Sequence, residues 1–429
     1  MSRENEASAN GLPLTAYERM YYDDLETRDP REREAELFAK LPGQVENARK
    51  RAPALASLLK EIPSEEIRSR SALARLPVLR KSELGELQKQ APPFGGLAAI
   101  APGEAVHIFA SPGPIYELEG HGADFAGFSR ALFAAGFRRG DVVYNTFSYH
   151  FTPAGLMVDS GARALGCAVF PAGVGQTEIQ AATIAELRPD GYAGTPSFLK
   201  ILLEKGRELR ADHSSLRKAL VSGEALPPAL RAQFQEKGVR VLQCYSTADL
   251  GVIAYESEAM KGLIVNEGLI LEIVRPGTGD PLPDGEVGEV VVTNLLAAEY
   301  PLVRFATGDL SAVLPGESPC GRTNVRIRGW LGRADQSAKV RGMFVHPSLV
   351  ASIVRRHPEI LRARLVVRRV NDADEMTLRC ETASAGDEAL ARSVVASIRE
   401  VCKLRGQAEL VSPGSLPNDG KVIEDTRPI

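Results

Sequence analysis

The feature that most constrains the fold is a regular alternation of short apolar segments and amphipathic segments between about residues 141 and 245. The segments DVVYNTF, CAVF, GYAG, KALVSG and VRVLQCY are short and largely apolar, as expected of buried strands, and helix-like stretches separate them. One such stretch, residues 153–165, ends at Gly166, a residue type that commonly terminates helices. The alternation predicts parallel βαβ units, which bind ligands at the carboxyl ends of their strands.

The sequence pattern changes twice after this alternation, once near residue 252 and again after Gly332. Between residues 252 and 328 the short apolar segments VIAYES, LILEIV, GEVVVTN and LVRFAT are separated by Gly and Pro turns, which predicts an antiparallel sheet or small barrel. After Gly332, strands and helices form a compact unit of about one hundred residues, with AELVSP as the last predicted strand. The sequence therefore predicts an α/β protein. Its large N-terminal domain (1–332) combines βαβ units with the small antiparallel sheet or barrel, and a small, mobile α+β C-terminal domain (333–429) follows.

Composition narrows the class of function. The chain has 429 residues and a net charge of −3, which gives no general attraction to nucleic acid or to anionic membranes and favours a small-molecule function. It has no apolar stretch near the ~18 residues of a membrane span, and its first twenty residues are polar, so we expect a cytoplasmic protein. The five cysteines are scattered without a CxxC pair, so we expect neither disulfides nor a structural metal.

The segment with the most candidate chemistry runs from residue 300 to residue 347. Asp309 follows the strand-like LVRFA and a Thr-Gly turn, where its carboxylate can accept hydrogen bonds from a diol. Four charged residues then follow in close succession: Arg333, Asp335, Lys339 and Arg341. Arginine offers a forked donor to phosphate or hydroxyl oxygens, and lysine offers a mobile point charge. For an isolated stretch, a solvated charged turn between two domains is the simpler interpretation.

Two further segments favour a functional interpretation. In the C-terminal SLPNDGKVIED, a Pro-Asn-Asp-Gly turn presents Lys421, and LQCYSTADLG is an apolar strand that ends in Tyr245, Thr247 and Asp249. Together and in this order, the three segments resemble the adenylate-forming superfamily and, within it, the phenylacetate–CoA ligase family. The resemblance covers most of the chain and includes RSALARLPVLRKSEL, GDVVYNTFSYHFTPAG, LGCAVFPAGVGQTEIQ, LRPDGYAGTPSFL, SGEALP and GDPLPDGEVGEVVVTNL.

The resemblance implies a function and a set of roles. The expected reaction is ATP-dependent activation of an aromatic carboxylic acid as acyl-AMP, followed by transfer to coenzyme A, with Mg²⁺ as metal and a homodimer as assembly. Tyr245 is expected to pack on adenine, Asp249 to help hold magnesium, and Asp309 to bind the ribose hydroxyls. Arg333 is expected to contact ribose or phosphate, and Lys421 the carboxylate and α-phosphate.

The resemblance also implies a rotation of the small domain after adenylation. Asp335 is the expected pivot of that rotation. Lys339 and the residues up to Gly342 are then expected to belong to the face used in thioester formation.

The nucleotide loops depart from the family pattern. In FASPGPIYELEG, Ser111 and Gly113 match a phosphate-binding loop, whereas Pro112 and Pro114 remove two amide donors. Glu117 and Glu119 add negative charge where the polyphosphate is expected, although magnesium can bridge Glu117 to the phosphates. We therefore expect this loop to hold triphosphate poorly.

The motif around Tyr245 departs too. Ser246 replaces the usual Gly, Ala248 the usual Ser or Thr, and Asp249 the usual Glu. Thr247, one position earlier, is a candidate substitute for the missing hydroxyl.

Two other stretches are candidate binding residues. In SGEALP, residues Gly223, Glu224 and Ala225 either line the adenine or form a simple strand-to-helix turn. Near the end of a predicted strand lie four residues that the resemblance assigns to the acyl pocket: Phe147, Tyr149, His150 and Phe151. Core packing is the alternative for the two phenylalanines, and His150 is either a carboxylate contact or a loop residue.

Two functions therefore remain open from the sequence. The first is an aryl-CoA ligase. The second is a homologue that has lost full ligase chemistry and binds AMP, an acyl-adenylate or an acyl-CoA as a sensor or acyl-transfer partner. A hydrolase is disfavoured, because the chain contains no Gly-x-Ser-x-Gly segment.

Overall fold

The computed structural model describes residues 20–334, 338–341, 343–370, 373–383 and 386–427. The strands of its large N-terminal unit are β1 (Leu79–Arg80), β2 (His107–Ser111), β3 (Ile115–Glu119), β4 (Val142–Asn145), β5 (Ala168–Pro171), β6 (Gly191–Gly194), β7 (Lys218–Val221), β8 (Arg240–Thr247), β9 (Gly251–Glu256), β10 (Leu263–Val265), β11 (Leu269–Val274), β12 (Gly288–Asn294), β13 (Phe305–Ser311), β14 (Val313–Leu314) and β15 (Arg326–Ile327). Its α-helices are α1 (Pro30–Arg51), α2 (Pro53–Leu58), α3 (Arg70–Leu73), α4 (Leu84–Gln90), α5 (Phe128–Ala134), α6 (Ala154–Leu165), α7 (Thr177–Leu187), α8 (Pro196–Leu209) and α9 (Pro228–Glu236).

The predicted βαβ alternation is confirmed. Strands β5, β4, β6, β7 and β8 are neighbours in that order and pair in parallel, with helices between them along the chain. Helix α6 ends at Gly166 as expected, because Gly166 takes the left-handed φ of +87° that closes a helix. Helix α8 begins where the Thr195 side chain accepts a hydrogen bond from the Phe198 amide.

The predicted small antiparallel sheet or barrel is instead divided between two sheets. Strands β9, β10, β15 and β14 extend the parallel sheet to nine strands, because only three residues separate β8 from β9 and the pair folds back as a hairpin. Strands β11, β12 and β13 form a second, four-stranded sheet with β1, which pairs in parallel with β13. Its apolar face packs against α1 and α2 in one large core.

The small C-terminal unit has its own core. Its elements are β16 (Ala338–Val340), β17 (Met343–Val345), α10 (Pro347–Val354), β18 (Arg362–Val370), β19 (Ala373–Glu381), α11 (Glu388–Cys402), β20 (Gln407–Val411) and β21 (Ile423–Asp425). The sheet order is β20-β19-β18-β21, so the unpredicted strand β21 closes one edge, parallel to β18. The predicted domain boundary between Gly332 and Arg333 stays a prediction.

Within the described part of the chain, no helix combines the length and the apolar character needed to cross a membrane.

Candidate active site

A cavity of about 470 Å³ lies at the carboxyl ends of β7 and β8. Its walls come from the loop that follows β7, from the end of β8, and from a segment around residue 330. The lining residues are Ser222, Gly223, Glu224, Ala225, Leu226, Gln243, Cys244, Tyr245, Ser246, Leu263, Asp309, Arg328, Gly329, Trp330 and Arg333. The volume suits a small molecule, and the position is the one that parallel α/β sheets use for ligands.

Asp309 is the most heavily bonded acid of this cavity. Its Oδ2 accepts a hydrogen bond from the Tyr245 hydroxyl at 2.8 Å. Its Oδ1 accepts two more, from the Trp330 indole N–H at 3.0 Å and from Arg333 at 3.1 Å. Three donors on one carboxylate fix its orientation at the cavity.

A backbone irregularity places Asp309 there. The predicted Thr-Gly turn lies inside β13, where Gly308 has a φ of +76° and the pairing register with β12 shifts. Such a bulge re-aims the side chains that follow it. The segment before the small unit pairs with this bulge, since the Ala334 amide donates to the Gly308 carbonyl at 2.7 Å and an isolated bridge joins Asp309 and Arg333.

Tyr245 is 8% exposed, so only part of its side chain meets the cavity. Burial, and secondly the charge of Asp309, raise the pKa of its phenol well above 10. The hydroxyl therefore stays protonated and acts as a donor. It also lies 3.0 Å from the Thr307 hydroxyl, which fixes the ring's position.

The loop after β7 is held by short polar contacts. The Ser222 hydroxyl donates to the Cys244 carbonyl at 2.9 Å and lies 3.0 Å from the Ser246 hydroxyl, which joins the ends of β7 and β8. Gly223 takes a φ of +80°, a conformation that favours glycine. The Glu224 carboxylate accepts a hydrogen bond from the Ser197 hydroxyl at 2.9 Å, so it is tied to the first turn of α8.

A second polar cluster lies behind the β2–β3 hairpin, which contains the segment predicted to be a phosphate loop. The Ser111 hydroxyl donates to Glu117 Oε1 at 2.6 Å, and Lys81 Nζ lies 2.5 Å from Asp249 Oδ2. Gly113 stands in the turn of the same hairpin. The Glu117 side chain points inward, and the residue is only 1% exposed. Its carboxylate already accepts the hydrogen bond of the Ser111 hydroxyl.

The electrostatics of this cluster are unusual. Burial, and next the charge of Asp249, raise the pKa of Glu117 to about 7, while Ser111 and Lys81 act in the opposite direction. Three buried oxygens of this cluster find no hydrogen-bond partner among the described residues: Glu117 Oε2, Asp249 Oδ1 and Tyr300 Oη. Magnesium prefers oxygen ligands and commonly takes one or two carboxylates besides phosphate, so Asp249 fits the predicted metal role.

Thr247, the candidate substitute for a missing hydroxyl, has a local structural contact. Its Oγ1 accepts a hydrogen bond from the Leu250 amide at 3.3 Å and so supports the β8–β9 turn that carries Asp249.

The predicted acyl-pocket stretch divides into buried and exposed parts. Phe147 is partly buried and lies beside Gly223, with Cε1 4.0 Å from where a Cβ of that residue would stand. The Tyr149 hydroxyl accepts a hydrogen bond from Asn145 at 2.8 Å, and burial raises its pKa. His150 and Phe151 are exposed, Phe151 by 82%, so core packing is wrong for Phe151.

Residues of the small unit do not reach the cavity in this arrangement. Of the described residues, none after Arg333 lines it. Lys421 is exposed and lines a separate groove of about 340 Å³ between the small unit and residues 275–287. Asp335 lies outside the described residues, as does the side chain of Lys339, whose backbone belongs to β16.

The sequence reasoning missed Lys81 and Trp330. Lys81 stands in the RSALARLPVLRKSEL segment but lies 168 positions from its partner Asp249, so no local pattern could assign the contact. Trp330 is the only tryptophan of the chain and stands between Gly329 and Gly332, close to Arg333. A single tryptophan in that position could have been recognised from the sequence as a candidate site residue.

Comparison with known proteins identifies relatives of this architecture. A family model described as AMP-binding enzyme matches residues 124–298. The chain is 32% identical over 408 residues to a phenylacetate–coenzyme A ligase of Thermus thermophilus, covering 90% of this chain and 91% of that protein. A phenylacetate–coenzyme A ligase of Aromatoleum evansii is 28% identical over 396 residues, with 86% and 88% covered.

A solved structure extends the likeness to three dimensions. An open conformation of 2-hydroxyisobutyryl-CoA ligase in complex with 2-HIB-AMP and CoA matches with a TM-score of 0.72 and 25% identity. The match covers 97% of this chain and 96% of that one, so both units take part in it.

Proposed function

The chain belongs to the phenylacetate–coenzyme A ligase family of AMP-forming acid–thiol ligases, and from this premise we propose that its acid is aromatic, resembling phenylacetate or benzoate. The observation that supports nucleotide activation is the Asp309 carboxylate, held at a cavity of about 470 Å³ by Tyr245 and Arg333. The aromatic acid is supported by the similarity to phenylacetate–coenzyme A ligases. The neighbouring Phe147 supplies an apolar wall beside the same loop.

The first half-reaction joins the acid to the nucleotide. An oxygen of the acid attacks the α-phosphorus of ATP, the bond to the bridging oxygen breaks, and pyrophosphate leaves. Tyr245 packs beside the adenine, Asp309 accepts hydrogen bonds from the ribose hydroxyls, and Arg333 balances phosphate charge. Orientation and charge stabilisation supply most of such catalysis, because the reactants need only be aligned.

The metal-binding part of this proposal rests on Asp249. A bound Mg²⁺ would neutralise phosphate charge and would be held by the Asp249 carboxylate, whose Oδ1 is buried without a partner among the described residues. Lys81 forms an ion pair with the other oxygen of Asp249 and holds that carboxylate in place.

The second half-reaction forms the thioester. The sulfur of coenzyme A attacks the acyl carbon, the acyl–phosphate bond breaks, AMP leaves, and the thiol proton passes to solvent. Because Lys421 lies in the separate groove, its role in adenylate formation needs a position of the small unit other than this one, and thioester formation is proposed to use a different position again. Asp335 is the proposed pivot, and Lys339 the proposed contact during thioester formation.

Acid-dependent release of pyrophosphate tests the acid. We expect benzoates or phenylacetates to exceed 2-hydroxyisobutyrate by about tenfold or more, equivalent to ~1.4 kcal/mol of discrimination. The measurement is initial rate with each acid at equal concentration and saturating ATP. A stronger response to 2-hydroxyisobutyrate contradicts an aromatic substrate. No response to any acid, with AMP binding retained, favours the sensor function.

One observation favours that second function, in which the protein binds AMP or an acyl-adenylate without full ligase activity. The Glu117 carboxylate accepts the hydrogen bond of the Ser111 hydroxyl, and this carboxylate is buried on the inner side of the hairpin that is predicted to hold the polyphosphate. Like charge beside a triphosphate weakens its binding.

Calorimetry in the presence of magnesium measures this effect. We expect wild-type protein to bind ATP no more tightly than AMP. Glu117→Gln should tighten ATP by about tenfold and leave AMP unchanged, because one like charge is removed. Glu86→Gln, an exposed glutamate of α4, is the matched control. A wild-type preference for ATP of tenfold or more contradicts this prediction and removes the main support of the sensor function.

A further inference from the structure

The Trp330 indole N–H occupies a hydrogen-bond position on Asp309, the carboxylate that the proposed function assigns to the ribose hydroxyls. An ionised carboxylate has about four acceptor positions, two on each oxygen. In this structure Tyr245 takes one position on Oδ2 of Asp309, and Trp330 and Arg333 take both positions on Oδ1. A ribose with two hydroxyls needs two positions, so at least one of these donors must leave when a nucleotide binds.

The three donors differ in how easily they leave. Tyr245 is almost fully buried and is also bonded to Thr307, so moving it disturbs the core. Arg333 is tied to Asp309 through a backbone bridge as well as through its side chain. Trp330 is 52% exposed, and water can replace Asp309 as the acceptor for its indole N–H. The indole is therefore the donor that is displaced at least cost.

We propose that Trp330 gates the nucleotide site by holding a hydrogen-bond position on Asp309 that a ribose hydroxyl must take. The gate rests on the proposed nucleotide-binding function of this cavity and adds a residue to it. Its consequence is selective: a nucleotide with a ribose diol displaces the indole from Asp309, whereas a nucleotide without the diol leaves the indole in place.

The single tryptophan makes the displacement observable. With excitation selective for tryptophan, AMP should change the emission of the wild-type protein, because the indole N–H moves from a carboxylate to water. A saturating amount of 2′,3′-dideoxyadenosine 5′-monophosphate should leave the emission nearly unchanged. Equal changes with both nucleotides overturn the gate, since the indole then responds to occupancy of the cavity and not to the diol.

A substitution provides the second measurement. Trp330→Phe keeps an aromatic ring but removes the N–H, so calorimetry should show AMP binding about three- to tenfold more tightly, the range that one hydrogen bond accounts for. Binding of the dideoxy analogue should not change. The matched control is Leu331→Ala, which alters the neighbouring exposed apolar side chain and should change neither affinity.

The remaining outcomes separate the gate from the function on which it rests. If both nucleotides bind Trp330→Phe more weakly, the indole stacks on the base and the gate is wrong. If AMP outbinds the dideoxy analogue by the same ratio in wild type and variant, the gate is wrong and the nucleotide site stands. If wild-type protein binds neither nucleotide, the proposed function itself fails.

Discussion

Replacing Lys421 with alanine is expected to abolish formation of the acyl-adenylate while leaving thioester formation from a supplied acyl-adenylate nearly intact. The expected loss in the first half-reaction is a hundredfold or more, because one charge contact made in a transition state typically contributes ~3 kcal/mol. Lys421 is exposed, so the substitution should leave stability unchanged. The two half-reactions are measured separately, by pyrophosphate release and by consumption of synthetic acyl-AMP with coenzyme A.

The contacts around Lys421 bear on the proposed rotation of the small unit. The tail before it is anchored, since Asp419 accepts hydrogen bonds from Arg364 and from the Lys421 amide. Gly420 packs so closely on the large unit that a Cβ there would stand 2.6 Å from Val287. Lys421 nevertheless lines the groove between the small unit and residues 275–287, and not the cavity at the carboxyl ends of β7 and β8.

A matched variant separates the role of Lys421 from a general effect of charge. Arg392→Ala removes an exposed cation of the same unit whose contact in the structure is a one-turn helix pair with Glu388. Both half-reactions should proceed at the wild-type rate in that variant. Equal losses in both half-reactions for Lys421→Ala would show that the lysine supports the fold or the thioester step, and the assigned role would be wrong.

The large-scale fold was predictable because its signals are local. Each parallel strand is a short apolar run between helices, and Gly166 terminates α6 where the pattern ends. The division of the later strands was not predictable, because VIAYES and LILEIV look alike as isolated segments. The three-residue turn at Asp249 sends β9 back along β8, and only that connection distinguishes them. Strand β21 was missed because IED is too short and too acidic to stand out.

The candidate site, like the fold, was only partly predictable from the sequence. The ordered set Tyr245, Asp309 and Arg333 was predicted, and the structure brings the three side chains together around one carboxylate. The inward orientation of Glu117 was not predicted, because the prolines of its segment gave no strand signal. Its side chain faces inward because the β2–β3 ladder pairs Glu117 with the buried Phe109. Contacts between distant positions, such as Lys81 with Asp249, depend on how the sheets pack.

Replacing Glu117 with glutamine is expected to stabilise the protein at alkaline pH and to have little effect at acid pH. The raised pKa, about 7 against 4.5 for a free carboxyl, means that the native state holds a proton that the unfolded chain has already released. The contribution of this group to stability is therefore present below about pH 4.5 and is lost as pH rises through about 7. The shift corresponds to a loss of up to about 3 kcal/mol at alkaline pH.

Glutamine avoids that loss without disturbing the packing. It retains an oxygen acceptor for the Ser111 hydroxyl, and its uncharged amide removes the repulsion from Asp249. Urea unfolding of both proteins should show the variant more stable at about pH 8, with the difference shrinking steadily toward about pH 5. The exposed Glu86→Gln should show no such dependence. A difference in stability that is the same at both pH values would mean that Glu117 does not titrate between them, and the expected pH dependence would be wrong.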